Sequence, residues 1–195
     1  MRRFGLLASL SALLLLLGGC GINNIPTYDE QVKAAWSQVL NQYQRRADLV
    51  PNLVATVKGY ADQEKTVLTQ VTEARSKVAG MQLPPNVLKD KQAFANFQQN
   101  QAQLTSALSR LMVVVERYPD LKSNQNFLTL QAQLEGTENR IAVARRDYIQ
   151  AVQKYNTELR TIPGRWWASL LYPDAKPYQN FQIEDSAKQV PQVKF

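Results

Sequence analysis

Apolar residues recur at steps of three, four and seven along most of this chain, which is the spacing of one face of an amphipathic helix. Before the first such run, Thr27 and Glu30 have the spacing of a capping box, so a helix is predicted to begin near Tyr28. The apolar seam then continues to about Ala79. The pattern therefore predicts one very long first helix.

Two residues interrupt this first run, Pro51 and Gly59. A proline inside a helix removes the hydrogen bond to the carbonyl four residues earlier, here that of Ala47, and typically bends the helix. We therefore expect one helix kinked near Pro51 rather than two separate helices.

Two further amphipathic runs follow. The second covers residues 94 to 118 and is expected to end at Pro119. The third begins after Ser123 or Asn124, either of which can cap a helix, and continues to Ile162. Because the links between the runs are short, neighbouring helices are predicted to be antiparallel.

The C-terminal part differs in pattern. Residues 165–171 are predicted to add one or two helical turns, whereas prolines and scattered polar residues from Tyr172 onward predict an extended, partly disordered tail. The predicted fold is all-α: an antiparallel bundle of three long helices, the first one longest, with a short fourth helix and an extended C-terminal tail. The first helix is expected to overhang the other two. The predicted organisation is a signal peptide at 1–19, a lipidated linker at 20–27, a helical bundle at 28–171 and the tail at 172–195.

The N-terminus has its own pattern. Arg2 and Arg3 precede an apolar stretch, and small residues then precede the lone cysteine, Cys20. The sequence Leu17-Gly18-Gly19-Cys20 resembles the lipobox of a bacterial lipoprotein signal. The resemblance implies a diacylglyceryl group on the Cys20 sulfur, cleavage before Cys20 and a third acyl chain on the new amine.

By resemblance to the sorting rule of two-membrane bacteria, Gly21 after the cysteine favours the outer membrane, with the protein facing the periplasm. Two alternatives stay open. An ordinary cleaved signal would release a soluble product. An uncleaved segment would leave the protein in the inner membrane, although residues 4–19 span only about 24 Å as a helix against roughly 30 Å of hydrocarbon.

Composition narrows the function classes. Lys and Arg total 23 against 16 Asp and Glu, a net charge of +7 that is mixed along every segment, so anionic surfaces are expected partners and nucleic acid is not. The chain has no histidine, which excludes zinc sites with imidazole ligands and Ser-His-Asp nucleophiles. No catalytic, cofactor-binding or metal-binding residue is predicted, and the protein is predicted not to be an enzyme. Carboxylate-only or Ser–Lys chemistry, as in a periplasmic hydrolase, stays open as an alternative.

Several segments are more specific than a helical bundle requires. They are residues 41–54 (NQYQRRADLVPNLV), 57–61 (VKGYA), 126–128 (NFL), 134–146 (LEGTENRIAVARR), 155–157 (YNT) and 191–195 (PQVKF). Together they resemble the LemA family of bacterial envelope proteins, and the resemblance covers the chain from Tyr28 to its end.

The resemblance implies an N-terminal membrane attachment followed by an all-α antiparallel bundle facing away from the cytoplasm. Many relatives have a membrane-spanning anchor where this chain has a lipobox. The family brings no established catalytic residues. Relatives are often associated with envelope quality control or membrane organisation, which implies membrane proteases or membrane-organising proteins as partners.

A polar network is predicted inside the bundle. Glu138 and Arg145 lie seven residues apart on one face of the third helix and can flank a shared partner, for which Arg46, Asp48 and Asn52 are the candidates. A buried network of this kind can fix helix register. Ligand binding is the alternative function of these residues.

Three other residues have two interpretations each. Trp166 and Trp167 are candidates for contact with a partner or a membrane, or they close the end of the bundle. They are expected to lie far from the tethering membrane. Gly136 costs roughly 1 kcal/mol relative to alanine in a helix. It therefore predicts either a closely approaching neighbour helix or a helix irregularity.

The function hypothesis is a lipid-anchored, non-enzymatic helical scaffold or adaptor for other envelope proteins. A directly membrane-organising protein and, less favoured, the hydrolase are the alternatives. No oligomeric state is predicted.

Overall fold

The computed structural model describes residues 21–181, and within them the chain forms six α-helices and no strand. The helices are α1 (Asn24–Lys58), α2 (Lys65–Ala79), α3 (Lys91–Val115), α4 (Pro119–Lys122), α5 (Gln125–Glu158) and α6 (Gly164–Leu171). The all-α class with three long helices, α1, α3 and α5, is confirmed. The signal, the lipobox cysteine and the PQVKF segment lie outside the described residues.

Helices α1 and α5 form an antiparallel pair along their whole lengths of 35 and 34 residues. Asn24 at the start of α1 donates to Glu158 at the end of α5 over 3.2 Å. At the opposite end, Asn124, which caps α5 through the Phe127 N–H, donates to the Tyr60 hydroxyl just beyond α1 over 2.9 Å. The pair is therefore in register from end to end.

The prediction that the first helix reaches Ala79 is wrong. It ends at Lys58, and residues 59–64 form a turn in which the Ala61 N–H donates to the Val57 carbonyl and Ala61 itself is buried. Helix α2 then folds back along α1. The apolar spacing continues across the turn, so it cannot by itself separate one long helix from two shorter ones.

Folding back has an energetic reason. A continuous helix would have carried its last turns past the end of α5, where their apolar face has no partner. In the hairpin, Leu68, Val71 and Ala74 of α2 are instead buried against α1 and α3. The predicted overhang of the first helix is therefore wrong too.

Helix α1 continues through Pro51. The carbonyl of Ala47, which loses its usual donor because proline has no N–H, lies 3.5 Å from Nε of Arg75 on α2. The returning helix thus supplies a donor to the carbonyl that the proline frees. The kink expected at this position stays a prediction.

Helix α1 begins at Asn24, four residues before the predicted start at Tyr28, and the predicted capping box does not form. The Thr27 N–H donates to the Asn23 carbonyl instead. Pro26 lies in the first turn, where backbone N–H groups have no intrahelical partner and proline is tolerated.

Asp90 caps the start of α3, and its carboxylate accepts from the Gln92 and Ala93 N–H groups at 2.8 and 2.9 Å. Helix α3 runs antiparallel to α2 and parallel to α1, and Pro119, the predicted stop, opens the one-turn helix α4. Two apolar clusters fill the bundle. One, near the start of α1, is aromatic and centred on Trp36, and the other, near the α1–α2 turn, consists mainly of leucine and valine.

Candidate functional site

The most deeply buried charge among the described residues is Arg46 of α1, which is 1% exposed. It occupies a seam position between Tyr43 and Val50, where the pattern calls for an apolar side chain. A guanidinium is costly to desolvate, so it must be paired and hydrogen-bonded where it is buried.

Four hydrogen bonds hold the guanidinium, and they join all three long helices. Nη1 donates to the Thr105 hydroxyl of α3 at 2.9 Å and to the Glu138 carboxylate of α5 at 3.0 Å. Nη2 donates to the side-chain and backbone oxygens of Gln101 at 2.7 and 3.2 Å. Nε of Arg46 has no hydrogen-bond partner. The ring of Tyr43 lies 5.0 Å from the guanidinium carbon. Burial raises the pKa of this tyrosine, an increase that the charges of Arg145 and Arg46 oppose.

The five residues of the predicted network are thus only partly brought together. Arg46 and Glu138 form an ion pair. Arg145 lies over the Phe181 ring, with its guanidinium carbon 4.4 Å from the ring centre. Asp48 is exposed and accepts from Gln44, and Asn52 is exposed on the outer face of α1, so neither contributes.

Gln101 and Thr105 are the members that the sequence prediction missed. Gln101 lies four residues after Phe97 and three before Leu104, which places a polar side chain on the buried seam of α3. That is the same signal that Arg46 gives on α1. Two polar residues on facing seams could have been paired from the sequence.

Three open grooves run beside α5, and two of them bear on the predicted site residues. One, of about 470 Å³, lies against α1 and is lined by Arg45, Leu128, Gly136 and Arg140 among others. The other, of about 480 Å³, lies against α3 and has Glu138 in its lining. A methyl group at Gly136 would meet no atom within 4 Å. The expected close approach of a neighbouring helix at this glycine is therefore wrong, and the residue faces open space.

The N-terminal end of the described chain is bound to the end of the bundle where α5 stops and α6 begins. The Ile22 carbonyl accepts from the Tyr172 hydroxyl at 3.3 Å, next to the Asn24–Glu158 contact. Gly164, at the start of α6, lies so close to the end of α5 that a Cβ there would collide with the Glu158 carbonyl oxygen. A Cβ on Gly21 would lie 3.8 Å from Cγ of Pro163, so the start of α6 lies beside Gly21.

The two tryptophans of α6 have different surroundings. Trp167 is half-buried and packs with Ala168 against the aromatic cluster, and its Nε1 is buried without a hydrogen-bond partner. Trp166 is 59% exposed. The pair was expected far from the N-terminal end of the first helix, and this is wrong, because the α1–α2 hairpin returns the chain and brings α6 to the end that holds residue 21.

The tail to Phe181 is extended and fills the space beside the aromatic cluster. The Asn156 amide donates to the Tyr178 carbonyl at 3.0 Å and accepts from its N–H at 2.9 Å. The Tyr178 hydroxyl donates to Asp29 of α1 at 2.6 Å. The Phe181 ring lies 5.2 Å from that of Phe94. No sequence motif had indicated this docking.

Two pKa shifts follow from this packing. Burial would raise the pKa of Asp29, but hydrogen bonds from Lys33 and Tyr178 outweigh it and lower the pKa below its ordinary value. Burial raises the pKa of Tyr155, which packs against Tyr178, to about 12.

The fold and the buried arginine define a helical-bundle protein whose central polar cluster ties three helices together. Comparison with known proteins is more specific. The LemA family model matches residues 35–195, so the chain belongs to the LemA family. The resemblance inferred from the sequence motifs is confirmed.

Three known proteins are similar to this chain over most of its length. Magnetosome proteins MamQ 2 and MamQ 1 of Paramagnetospirillum magneticum (strain ATCC 700264 / AMB-1) are each 27% identical over 188 residues, covering 88% of this chain and 69% of the relative. Protein LemA of Metamycoplasma hominis is 23% identical over 140 residues, covering 72% of this chain and 60% of the relative. Among residues 21–181, no helix combines the length and apolar character needed to cross a membrane.

Proposed function

We propose that this LemA-type protein is a non-enzymatic helical scaffold or adaptor of the bacterial envelope, attached to a membrane through lipid on Cys20. The outer membrane, with the bundle in the periplasm, is the favoured location. The observation that carries the proposal is the docking of residues 21–24 on the bundle end. An anchor at the preceding residue would hold a rigid bundle at a fixed end and leave its long sides free.

The groove between α1 and α5 is the surface that best suits a protein partner. Arg45 and Arg140 supply positive charge and Leu128, 42% exposed, supplies apolar surface. This combination fits an acidic segment with an apolar residue, presented by another envelope protein. Membrane proteases and membrane-organising proteins are the partner classes that the family resemblance implies.

The surroundings of Asp29 do not favour its use as the general acid of a hydrolase. The pKa of the Asp29 carboxyl lies below its ordinary value, because hydrogen bonds from Lys33 and Tyr178 outweigh the effect of burial. A general acid needs the opposite shift. Asp29 is bound by Lys33 and Tyr178, so its charge has a structural role.

Photocrosslinking in intact cells tests the scaffold proposal. A photoreactive residue at Leu128 is expected to give defined adducts with envelope proteins, identified by mass spectrometry. The matched control places the same residue at Thr69, which is exposed on α2 at the same end of the bundle. Recovery of the uncrosslinked chain alone from the Leu128 variant, or the same adducts from both variants, would contradict a partner surface in this groove.

A further inference from the structure

Exposed apolar side chains are concentrated at the bundle end that holds residue 21. Of the eight large hydrophobic residues that are exposed among residues 21–181, four lie between positions 162 and 171. They are Ile162 (65% exposed), Trp166 (59%), Leu170 (72%) and Leu171 (47%). Isolated exposed apolar residues need no explanation, but four within ten positions form a patch.

Helix α6 packs one face on the bundle and leaves Trp166 and Leu170 of this patch outward. Trp167 and Ala168 face the aromatic cluster and fix the helix on the bundle. Trp166 and Leu170, four residues apart, share the opposite face. Exposed Arg165 lies beside them. Tryptophan and leucine on one face with arginine at its edge are typical of helices that lie in the interface of a lipid bilayer.

The position of the patch identifies what covers it. Gly21 lies beside the start of α6, and Ile22 is bound to Tyr172 just beyond its end. Cys20 is the next residue, and consecutive Cα atoms are about 3.8 Å apart. With the anchor of the proposed function on Cys20, the chain would leave the bilayer beside α6.

We propose that the outer face of α6, together with Ile162, inserts into the interface of the same bilayer that holds the N-terminal segment. The bundle then stands on the membrane on the end formed by the start of α1 and the end of α5. The inference rests on the membrane attachment in the proposed function, and it adds a second contact that fixes the orientation of the bundle. A lipid surface, and not a protein, is the occupant.

Tryptophan quenching by brominated lipid tests this contact. The full chain, isolated from membranes, is reconstituted into vesicles of phosphatidylethanolamine and phosphatidylglycerol, with or without bromine on the acyl chains. Bromine is expected to quench the fluorescence of the wild-type protein. Trp166→Phe should lose most of this quenching. Trp36→Phe, which removes a buried tryptophan, should retain it. Leu170→Ser, which keeps all three tryptophans, should weaken it.

Flotation of the vesicles separates the two ways in which the idea can fail. A chain that floats with the vesicles but fluoresces equally in brominated and plain lipid would overturn the α6 contact and leave the attachment standing. A chain that does not float would overturn the attachment and this inference together. A photoreactive residue at position 170 gives an independent result in cell membranes: lipid adducts support the proposal, and a protein adduct would show that a protein covers this face.

Discussion

Removing the Glu138 carboxylate is expected to destabilise the bundle more than removing the Arg46 guanidinium, although Glu138 is the more exposed partner. In Glu138→Ala, the guanidinium stays in a site where its side chain is 2% exposed, without a counter-charge. Breaking a buried pair in this way typically costs about 3–5 kcal/mol. Water can enter where the carboxylate, 40% exposed, had been, so a value of about 3 kcal/mol is expected here.

The converse substitution, Arg46→Met, keeps the apolar stem and removes the buried charge. Glu138 can then be hydrated in its groove. The remaining loss is the hydrogen bonding of Gln101 and Thr105, of which the buried Gln101 side chain is the costlier at about 1–2 kcal/mol. Adding Arg46→Met to Glu138→Ala should therefore restore stability relative to Glu138→Ala alone.

Urea unfolding followed by circular dichroism measures all four states of this double-mutant cycle. Glu116→Ala is the control, because Glu116 pairs with Lys122 on the surface and such pairs contribute less than about 1 kcal/mol. If Glu138→Ala costs no more than Glu116→Ala, or if Arg46→Met makes the Glu138→Ala protein still less stable, the buried-charge argument is wrong.

Three further predictions concern packing, pH and the tail. Gly136→Ala should stabilise the protein by about 1 kcal/mol, because the new methyl group meets open space. Gly164→Ala should destabilise it by about 1–3 kcal/mol, because the new methyl group would collide with the Glu158 carbonyl oxygen. Thermal unfolding that ranks the two variants the other way would refute the packing argument. Burial raises the pKa of Tyr155 to about 12, so the folded state favours the protonated hydroxyl more than the unfolded state does. The resulting gain in stability should be complete below the ordinary pKa of about 10 and be lost as the pH rises through 12. Tyrosinate absorbance during alkaline unfolding checks this, and ionisation of Tyr155 at pH 10 in the folded protein would contradict it. Asn156→Ala removes both hydrogen bonds to the Tyr178 backbone. Hydrogen exchange at the Tyr178 amide should then accelerate by roughly 10-fold, if the two bonds stabilise the docked tail by about 1.4 kcal/mol. An unchanged exchange rate would show that these two hydrogen bonds do not hold the tail.

The helical architecture was readable from the sequence because the apolar seams are long and regular. The three long helices follow from them, and Asn124 is the cap that its residue type predicts. The turn at residues 59–64 was missed for a physical reason. Gly59 is only weakly unfavourable in a helix, and the partners that make folding back favourable lie on α3 and are distant in sequence.

The polar centre was partly predictable. Arg46 and Glu138 could be matched because each is a charge on or beside an apolar seam. Asp48 was included because it lies close in sequence, but two residues along a helix is a rotation of about 200°, which turns Asp48 to the solvent. The tail contacts could not be predicted, since an extended segment has no periodicity that shows which groove it fills.

The position of α6 depends on the hairpin. An uninterrupted first helix would put Trp166 at the opposite end of the molecule from residue 21. The single turn after Lys58 therefore decides which membrane, if any, the exposed tryptophan can reach.

Intact-mass analysis of the protein extracted from membranes tests the central claim, attachment through Cys20, most directly. The account predicts a chain that begins at residue 20 and carries the added mass of a diacylglyceryl group and a further acyl chain. It also predicts that Cys20→Ala lacks both the cleavage and the added mass. A wild-type mass equal to the unmodified chain of 195 residues would contradict the lipid anchor.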